Sequence, residues 1–268
     1  MKKNIEYNNA NLVYHVYGEG LPVVLLHGFA ETSSIWNNQI KCLSNYSKLI
    51  IPDLPGSGES QLQHDSSNNL SIEDFSNAIY SIIQNENIEQ CIMLGHSMGG
   101  YVALAFAEKH PEKLKAFGFV QSTAFADSEE KKQTRLKAIK VMESYGSYTF
   151  LKTATPSLFA EQFKKEHVEI VNDLIEAGKN FTSNTLQQYY YAMMQRPDRT
   201  HVFKSSKVPV LFVMGTEDVA SPLNDGLKQV HLPEIAYIHI IQNIGHMSML
   251  EAPGELNSIL KNFANACT

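Results

Sequence analysis

The chain has 268 residues, of which 43% are hydrophobic and 19% are charged, and its 22 basic and 28 acidic residues give a formal net charge of −6. This composition is ordinary for a globular protein, and its length fits a single α/β domain that carries an insertion. The acidic balance, without a basic stripe, disfavours nucleic acid or an anionic membrane as a partner.

The N-terminal segment and the cysteines bear on the compartment. Two lysines at positions 2 and 3 are not followed by an apolar stretch, so we expect no ordinary secretory signal. We also expect no membrane span, because the sequence has no run of about 18 apolar residues. The cysteines are odd in number and widely spaced, which disfavours a disulfide framework: Cys42, Cys91 and Cys267. These features predict a cytoplasmic protein.

Strand patterns alternate with helix patterns through the first 120 residues. We predict strands near 3–7, 11–17, 22–26, 47–51, 90–94 and 114–120. Helices are predicted near 34–44, 71–86 and 98–109. The second helix begins with a capping box made by Ser71 and Asp74. This alternation is typical of a mostly parallel sheet with helices on its faces.

No further strand pattern follows until the predicted strands near 208–214 and 235–240. The interval between is helical in pattern and is broken at Gly146, Pro156, Gly178 and Pro197. We therefore predict an α/β core made of residues 1–121 and 201–268, with a helical insertion at residues 122–200.

The segment Gly95-His96-Ser97-Met98-Gly99 lies between a buried strand pattern and an Ala-rich helix pattern. So sharp a turn forces its central residue into a strained conformation, and small residues on either side let the strand and helix approach each other. The Ser97 hydroxyl would then project from the turn beside the first amides of the helix. A serine in an ordinary loop is usually only solvated, but this setting predicts a nucleophile.

A nucleophilic serine needs a base and a group that orients the base. Asp218 follows the strand near 208–214, and His246 follows the strand near 235–240. All three candidates therefore lie beyond the carboxyl ends of parallel strands, where open α/β sheets place their sites.

Other carboxylates stay open as the orienting acid. Glu217 is adjacent to Asp218, and Asp225 lies in the next helix. After the sixth main strand the chain offers Gln121 and Ser122, and we interpret Asp127 as a charge at a helix end.

Five ordered motifs resemble those of the α/β-hydrolase superfamily. They are the turn at Ser97, the loops of Asp218 and His246, the His27-Gly28-Phe29 loop, which resembles the oxyanion loop of that superfamily and is called the oxyanion loop below, and the glycine-containing loop 53–60, which Asp53 is expected to hold in place. The order serine, acid, histidine is also that of this superfamily. The resemblance covers nearly the whole chain and implies a mostly parallel eight-stranded sheet with a helical cap. It further implies an oxyanion hole made by the backbone N–H groups of Phe29 and Met98.

The resemblance implies a capped serine hydrolase. We expect a carboxylic-ester hydrolase that acts on small, largely apolar esters and needs no cofactor or metal, since the histidines show no metal-ligand spacing. Serine rather than aspartate at position 97 excludes the haloalkane dehalogenases and epoxide hydrolases. Two alternatives stay open: a carbon–carbon bond hydrolase for β-diketone-like substrates, and a ligand sensor with slow turnover and a partner protein. The oligomeric state is left open.

The substrate pocket is the least determined feature. The predicted pocket residues lie beside the catalytic motifs or in the insertion: His27, His96, Phe125, Tyr148, Met193 and Met247. His96 could equally be a scaffold residue, and His27 could order the oxyanion loop. We expect most apolar residues of the insertion to pack against the core, because a helix must bury its apolar face.

Overall fold

The computed structural model describes residues 1–62 and 69–267, and this part of the chain contains an eight-stranded sheet. The strands are β1 Lys2–Tyr7, β2 Ala10–Tyr17, β3 Leu21–Leu26, β4 Ser47–Pro52, β5 Cys91–His96, β6 Leu114–Val120, β7 Val210–Gly215 and β8 Ala236–Ile241. Their spatial order is β1-β2-β4-β3-β5-β6-β7-β8. β2 pairs antiparallel with β1 and β4, and all other neighbours are parallel. The predicted fold class is confirmed.

The helices are α1 Asn37–Leu43, α2 Ile72–Asn85, α3 Met98–Lys109, α4 Glu129–Tyr145, α5 Ser147–Ala154, α6 Glu161–Glu166, α7 Val168–Ala177, α8 Ser183–Gln195, α9 Thr200–Ser205, α10 Leu223–Leu227, α11 Ser248–Glu251 and α12 Pro253–Ala266. The predicted helix at 34–44 is divided, because a 3₁₀ turn at Ser33–Trp36 precedes α1. Both hydrogen bonds of the predicted capping box at Ser71 and Asp74 are present. None of the helices among the described residues is long and apolar enough to span a membrane.

Helices α4 to α9 follow one another between β6 and β7, and we call residues 129–205 the helical insertion. The sheet beneath them is buried on both faces. Val24 and Leu26 of β3 contribute to one apolar cluster, which α2 and α3 cover. Val23 and Leu25 contribute to a second cluster, which α1 and α12 cover. Burial on both faces explains why the central strands have continuous apolar sequences rather than alternating ones.

The turn between β5 and α3 consists of one residue, Ser97, whose φ of 50° and ψ of −117° are rare for a residue with a side chain. Two glycines make room for it. A Cβ on Gly95 would lie 2.2 Å from the carbonyl of Gly99, and a Cβ on Gly99 would lie 2.5 Å from the Leu26 carbonyl oxygen. Strand and helix therefore touch backbone to backbone at this point.

The turn yields a prediction about stability. Gly99→Ala should lower the free energy of unfolding by about 3 kcal/mol, because the backbone atoms that the new methyl group meets have little room to move. Gly254→Ala in the first turn of α12 is the matched control, since its Cβ meets nothing within 4 Å. Alanine there should be neutral or should stabilise by up to about 1 kcal/mol. Urea unfolding measures the free energy of unfolding of both variants. Equal values for the two variants would contradict the close backbone contact described at the turn.

Candidate active site

A cavity of about 570 Å³ lies between the helical insertion and the loops at the carboxyl ends of the strands. The core contributes Ser97, His246 and the loop that carries Phe29 to its wall. Helices α4, α5 and α8 contribute the opposite side. Cavities of a few hundred cubic ångströms are the size of small-molecule sites.

Ser97 is held through its backbone and is free at its side chain. Its amide donates to the Val120 carbonyl at 3.1 Å. Its carbonyl accepts from the Gly100 amide at 2.9 Å and from the Ser122 hydroxyl at 2.7 Å. The Ser97 hydroxyl makes no hydrogen bond to any residue within 1–62 or 69–267, and the residue lines the cavity. Bonds between a nucleophile and its base are often long before substrate binds.

His246 is hydrogen-bonded to a buried carboxylate. Its Nδ1 lies 2.8 Å from Oδ2 of Asp218, and the two side chains are 5% and 0% exposed. The other carboxylate oxygen, Oδ1, accepts from the amides of Ala220 and Ser221, each at 2.8 Å. The orientation of Asp218 is thereby fixed. Because the carboxylate accepts from Nδ1–H, the neutral imidazole has its lone pair on Nε2.

The surroundings of His246 raise its pKa above the usual histidine value. Burial, the largest single effect, lowers this pKa, but Asp218, Glu31 and Glu251 together stabilise the imidazolium enough to outweigh burial.

Glu251 fixes the loop that carries His246. Its carboxylate accepts from the amides of Gly245, Met247 and Ala160 at 2.8 to 3.1 Å, and burial raises its pKa. The His246 amide itself donates to the Leu158 carbonyl of the insertion. The loop that carries His246 is therefore tied both to α11 and to the insertion.

The oxyanion loop is anchored by His27. The His27 Nδ1 lies 2.9 Å from the Gly28 carbonyl, and its Nε2 accepts from the Leu54 amide at 2.9 Å. Asp53 accepts from backbone amides of two loops, as expected of a residue that holds them together.

The two predicted oxyanion donors are unengaged. Within the described parts of the chain, neither the Phe29 amide nor the Met98 amide donates a hydrogen bond. Both are therefore available to an oxyanion formed beside Ser97.

A buried pair, Glu31 and His96, joins the oxyanion loop to the loop that carries His246. Glu31 Oε2 accepts from the Gly28 amide at 2.6 Å and lies 3.1 Å from His96 Nδ1. His96 Nε2 lies 2.9 Å from the backbone carbonyl of His246. Burial opposes ionisation of Glu31, but His96 and the Gly28 amide outweigh it and lower the pKa of the carboxyl group. Sequence reasoning missed Glu31, although an acid four residues after His27 was visible.

Of the six predicted pocket residues, Met193 lines the cavity. His27, His96 and Met247 are not among the residues that line it. His27 and His96 are fully buried because they hold loops together, and Met247 is fully buried in the apolar cluster that α12 covers.

Phe125 and Tyr148 also lie outside the cavity wall. The Phe125 backbone carbonyl accepts from Arg196. The Tyr148 hydroxyl donates to Glu176 on the exposed side of the insertion. The insertion instead presents Phe150 and Tyr190 to the cavity, together with residues of α4 that helical spacing alone could not orient.

The alternative acids lie elsewhere. Glu217 accepts from the Glu161 amide at 3.2 Å, and Asp225 pairs with Lys228 at 3.1 Å. Asp127 precedes α4, but its partners are arginines rather than the helix end. Asp218 is the carboxylate that contacts His246. Within residues 1–62 and 69–267, no group of His, Cys, Asp or Glu side chains could hold a metal ion.

Comparisons with known proteins find similar sequences. The chain is 28% identical over 260 residues to a pimeloyl-[acyl-carrier protein] methyl ester esterase of Wigglesworthia glossinidia brevipalpis, which covers 93% of this chain and 96% of that one. It is 27% identical over 261 residues to Lipase 1 of Psychrobacter immobilis, covering 91% of this chain and 77% of that one.

Solved structures share the fold. A thermophilic esterase from Thermogutta terrifontis superposes with a TM-score of 0.92 at 24% identity, covering 100% of this chain and 99% of that one. The enol-lactonase from Burkholderia xenovorans gives 0.89 at 19% identity, covering 98% and 100%. A family model described as the alpha/beta hydrolase fold matches residues 22–158, which is half of the chain. The chain therefore belongs to the α/β-hydrolase fold family.

Proposed function

We propose that this protein is a serine hydrolase that cleaves small carboxylic esters, with Ser97 as nucleophile, His246 as base and Asp218 as orienting acid. The observation that carries the proposal is the 2.8 Å hydrogen bond from His246 to the buried Asp218, with His246 and Ser97 on the wall of one cavity. The esterase and lipase among the relatives support an ester as the scissile group.

The reaction begins with proton transfer. His246 Nε2 removes the hydroxyl proton as Ser97 Oγ attacks the ester carbonyl, and Asp218 stabilises the imidazolium that forms. The carbonyl oxygen becomes an oxyanion, which accepts hydrogen bonds from the unengaged amides of Phe29 and Met98. Backbone donors place no demand on side-chain identity, so apolar residues suffice at both positions.

Collapse of the tetrahedral intermediate releases the alcohol, which takes its proton from His246. Water, activated by the same histidine, then attacks the acyl-enzyme and regenerates the Ser97 hydroxyl. Because His246 acts in both half-reactions, its fixed orientation beside Asp218 is required for acylation and again for deacylation.

We assign the predicted insertion, residues 122–200, the role of a cap over a core made of residues 1–121 and 201–268. The contribution of α4, α5 and α8 to the cavity wall supports this role. The cap encloses one side of the cavity and thereby limits the substrate to a small molecule. Residence in the cytoplasm stays a prediction.

Ser97→Ala should reduce hydrolysis of para-nitrophenyl butyrate by about three orders of magnitude or more, since the oxyanion donors alone supply only the residual rate. Release of nitrophenolate measures the effect. Ser258→Ala, an exposed site on α12, is the matched control and should keep the full rate. A Ser97→Ala protein with more than a tenth of the wild-type rate would remove Ser97 from the mechanism. Wild-type protein that binds the ester but turns it over only slowly would favour the ligand-sensor alternative.

Asp218→Asn should reduce kcat by about 10⁴-fold. The asparagine oxygen can still accept from the amides of Ala220 and Ser221, which turns its NH₂ group toward Nδ1. The imidazole would then carry its proton on Nε2 and could not act as base. Asp225→Asn, whose carboxylate only pairs with Lys228, should leave kcat unchanged. A larger loss of kcat in Asp225→Asn than in Asp218→Asn would show that Asp218 is not the orienting acid.

The raised pKa of His246 predicts the pH profile of kcat/KM for an uncharged aryl ester. Only the neutral imidazole accepts the serine proton, so the rate should rise with pH and reach a plateau. The midpoint should lie above the ordinary histidine value of about 6.5, because Asp218 favours the protonated form. Intrinsic fluorescence across the same range separates this profile from unfolding. A midpoint below the ordinary value, or a flat profile, would contradict the assignment of His246.

A further inference from the structure

Two arginines share one carboxylate at the edge of the cavity. Oδ2 of Asp127 lies 2.7 Å from Nε of Arg135, and Oδ1 lies 2.9 Å from Nη1 of Arg196. The Asp127 side chain is fully buried, and those of Arg135 and Arg196 are 19% and 3% exposed. This cluster carries one positive charge in excess, which is costly to bury without a counter-ion.

The two arginines differ in how their remaining donors are used. Arg196 donates to the carbonyls of Met193 and Phe125 at 2.6 and 2.9 Å, and its guanidinium lies 3.8 Å from the centre of the Tyr101 ring. Arg135 donates to Asp127 through Nε and Nη2, and its Nη1 donates to no residue in the described parts of the chain. Arg135 lines the cavity, whereas Arg196 does not. The excess charge therefore faces the cavity through Arg135.

Arg135 is connected to the oxyanion loop by a stack of rings. Its guanidinium lies 5.1 Å from the centre of the Tyr190 ring. That ring stacks on Phe29, with centroids 4.4 Å apart and an interplanar angle of 4°. A group bound at Arg135 would thus lie a short acyl chain away from a carbonyl held at the Phe29 amide.

The other charged groups on the cavity wall do not neutralise the positive charge of Arg135. Lys131 lies one helical turn before Arg135 on the same face of α4 and adds a second cation. Glu31 is already paired with His96 and the Gly28 amide. Glu130 is exposed in the first turn of α4. The insertion side of the cavity is therefore cationic, although the sequence analysis predicted a largely apolar ester as substrate.

We propose that the substrate carries a carboxylate, which binds the free side of the Arg135 guanidinium while its ester group reaches Ser97. The inference rests on the proposed function and names its substrate class: half-esters of dicarboxylic acids or esters of comparable charge. A guanidinium suits this role because it donates two parallel hydrogen bonds to a carboxylate.

The test compares esters that differ in one charge. Monomethyl adipate and monomethyl suberate are paired with methyl hexanoate and methyl octanoate, and kcat/KM is measured for each by methanol release. The wild-type protein should prefer the half-ester of at least one pair. In Arg135→Gln the ratio of charged to neutral kcat/KM should fall roughly 10- to 100-fold, the range for loss of a charge-assisted hydrogen bond.

Two further variants separate charge from structure. Arg135→Lys keeps the charge but loses the paired donors, so its ratio should lie between those of the wild type and Arg135→Gln. Lys132→Gln removes a neighbouring charge that pairs with Glu129 away from the cavity, and its ratio should equal that of the wild type. A wild-type preference for the neutral esters, or an equal loss on both members of a pair in Arg135→Gln, would overturn the proposal.

A binding measurement keeps this inference separate from the catalytic one. Adipate itself contains no ester, so calorimetric titration reads the anion site without turnover. Its Kd should rise at least about tenfold in Arg135→Gln. If no ester is cleaved but adipate binding still depends on Arg135, the proposed hydrolysis fails and the anion site stands. Equal adipate affinity in the wild type and Arg135→Gln would overturn the anion site whatever the esterase activity.

Discussion

The left-handed backbone of Ser97 is the constraint on which the site depends. With φ at 50°, one residue turns the chain from β5 into α3, and this is possible only because Gly95 and Gly99 bring strand and helix into backbone contact. The same turn places the serine side chain in the cavity and leaves the Met98 amide without a hydrogen-bond acceptor among the described residues. Strain at one residue thus positions the proposed nucleophile and a backbone hydrogen-bond donor together, and the buried sheet on both sides holds that strain in place.

Much of the fold could be predicted because its signals are local. Each strand of the sheet begins and ends within about two residues of its predicted bounds, since hydrophobic patterns and turn residues are short-range features. Ser97, Asp218 and His246 were visible for the same reason, as each directly follows a recognisable strand. The adjacency of Asp218 and His246 then follows from the parallel neighbours β7 and β8, which deliver both residues to one edge of the sheet.

The pocket could not be predicted because its signals are long-range. A helix of the insertion can turn any face to the cavity, so periodicity alone could not distinguish Tyr148 from Tyr190. The arginine cluster joins Asp127, Arg135 and Arg196, and its excess charge appears only when all three are in place. His96 was open to two interpretations until Glu31, distant in sequence, was found beside it. The proposed substrate preference depends on these contacts, whereas the proposed chemistry depends on the strand-end motifs.

The central claim is that Ser97 is the nucleophile of this cavity. Intact-mass and peptide-mapping spectrometry after incubation with a para-nitrophenyl alkylphosphonate tests it most directly, because the phosphonate mimics the tetrahedral intermediate and stays covalently attached. The account predicts one adduct per chain, on the peptide that contains Ser97, and no adduct after mild acid protonates His246. An adduct on another residue, or an unmodified protein at neutral pH, would contradict it.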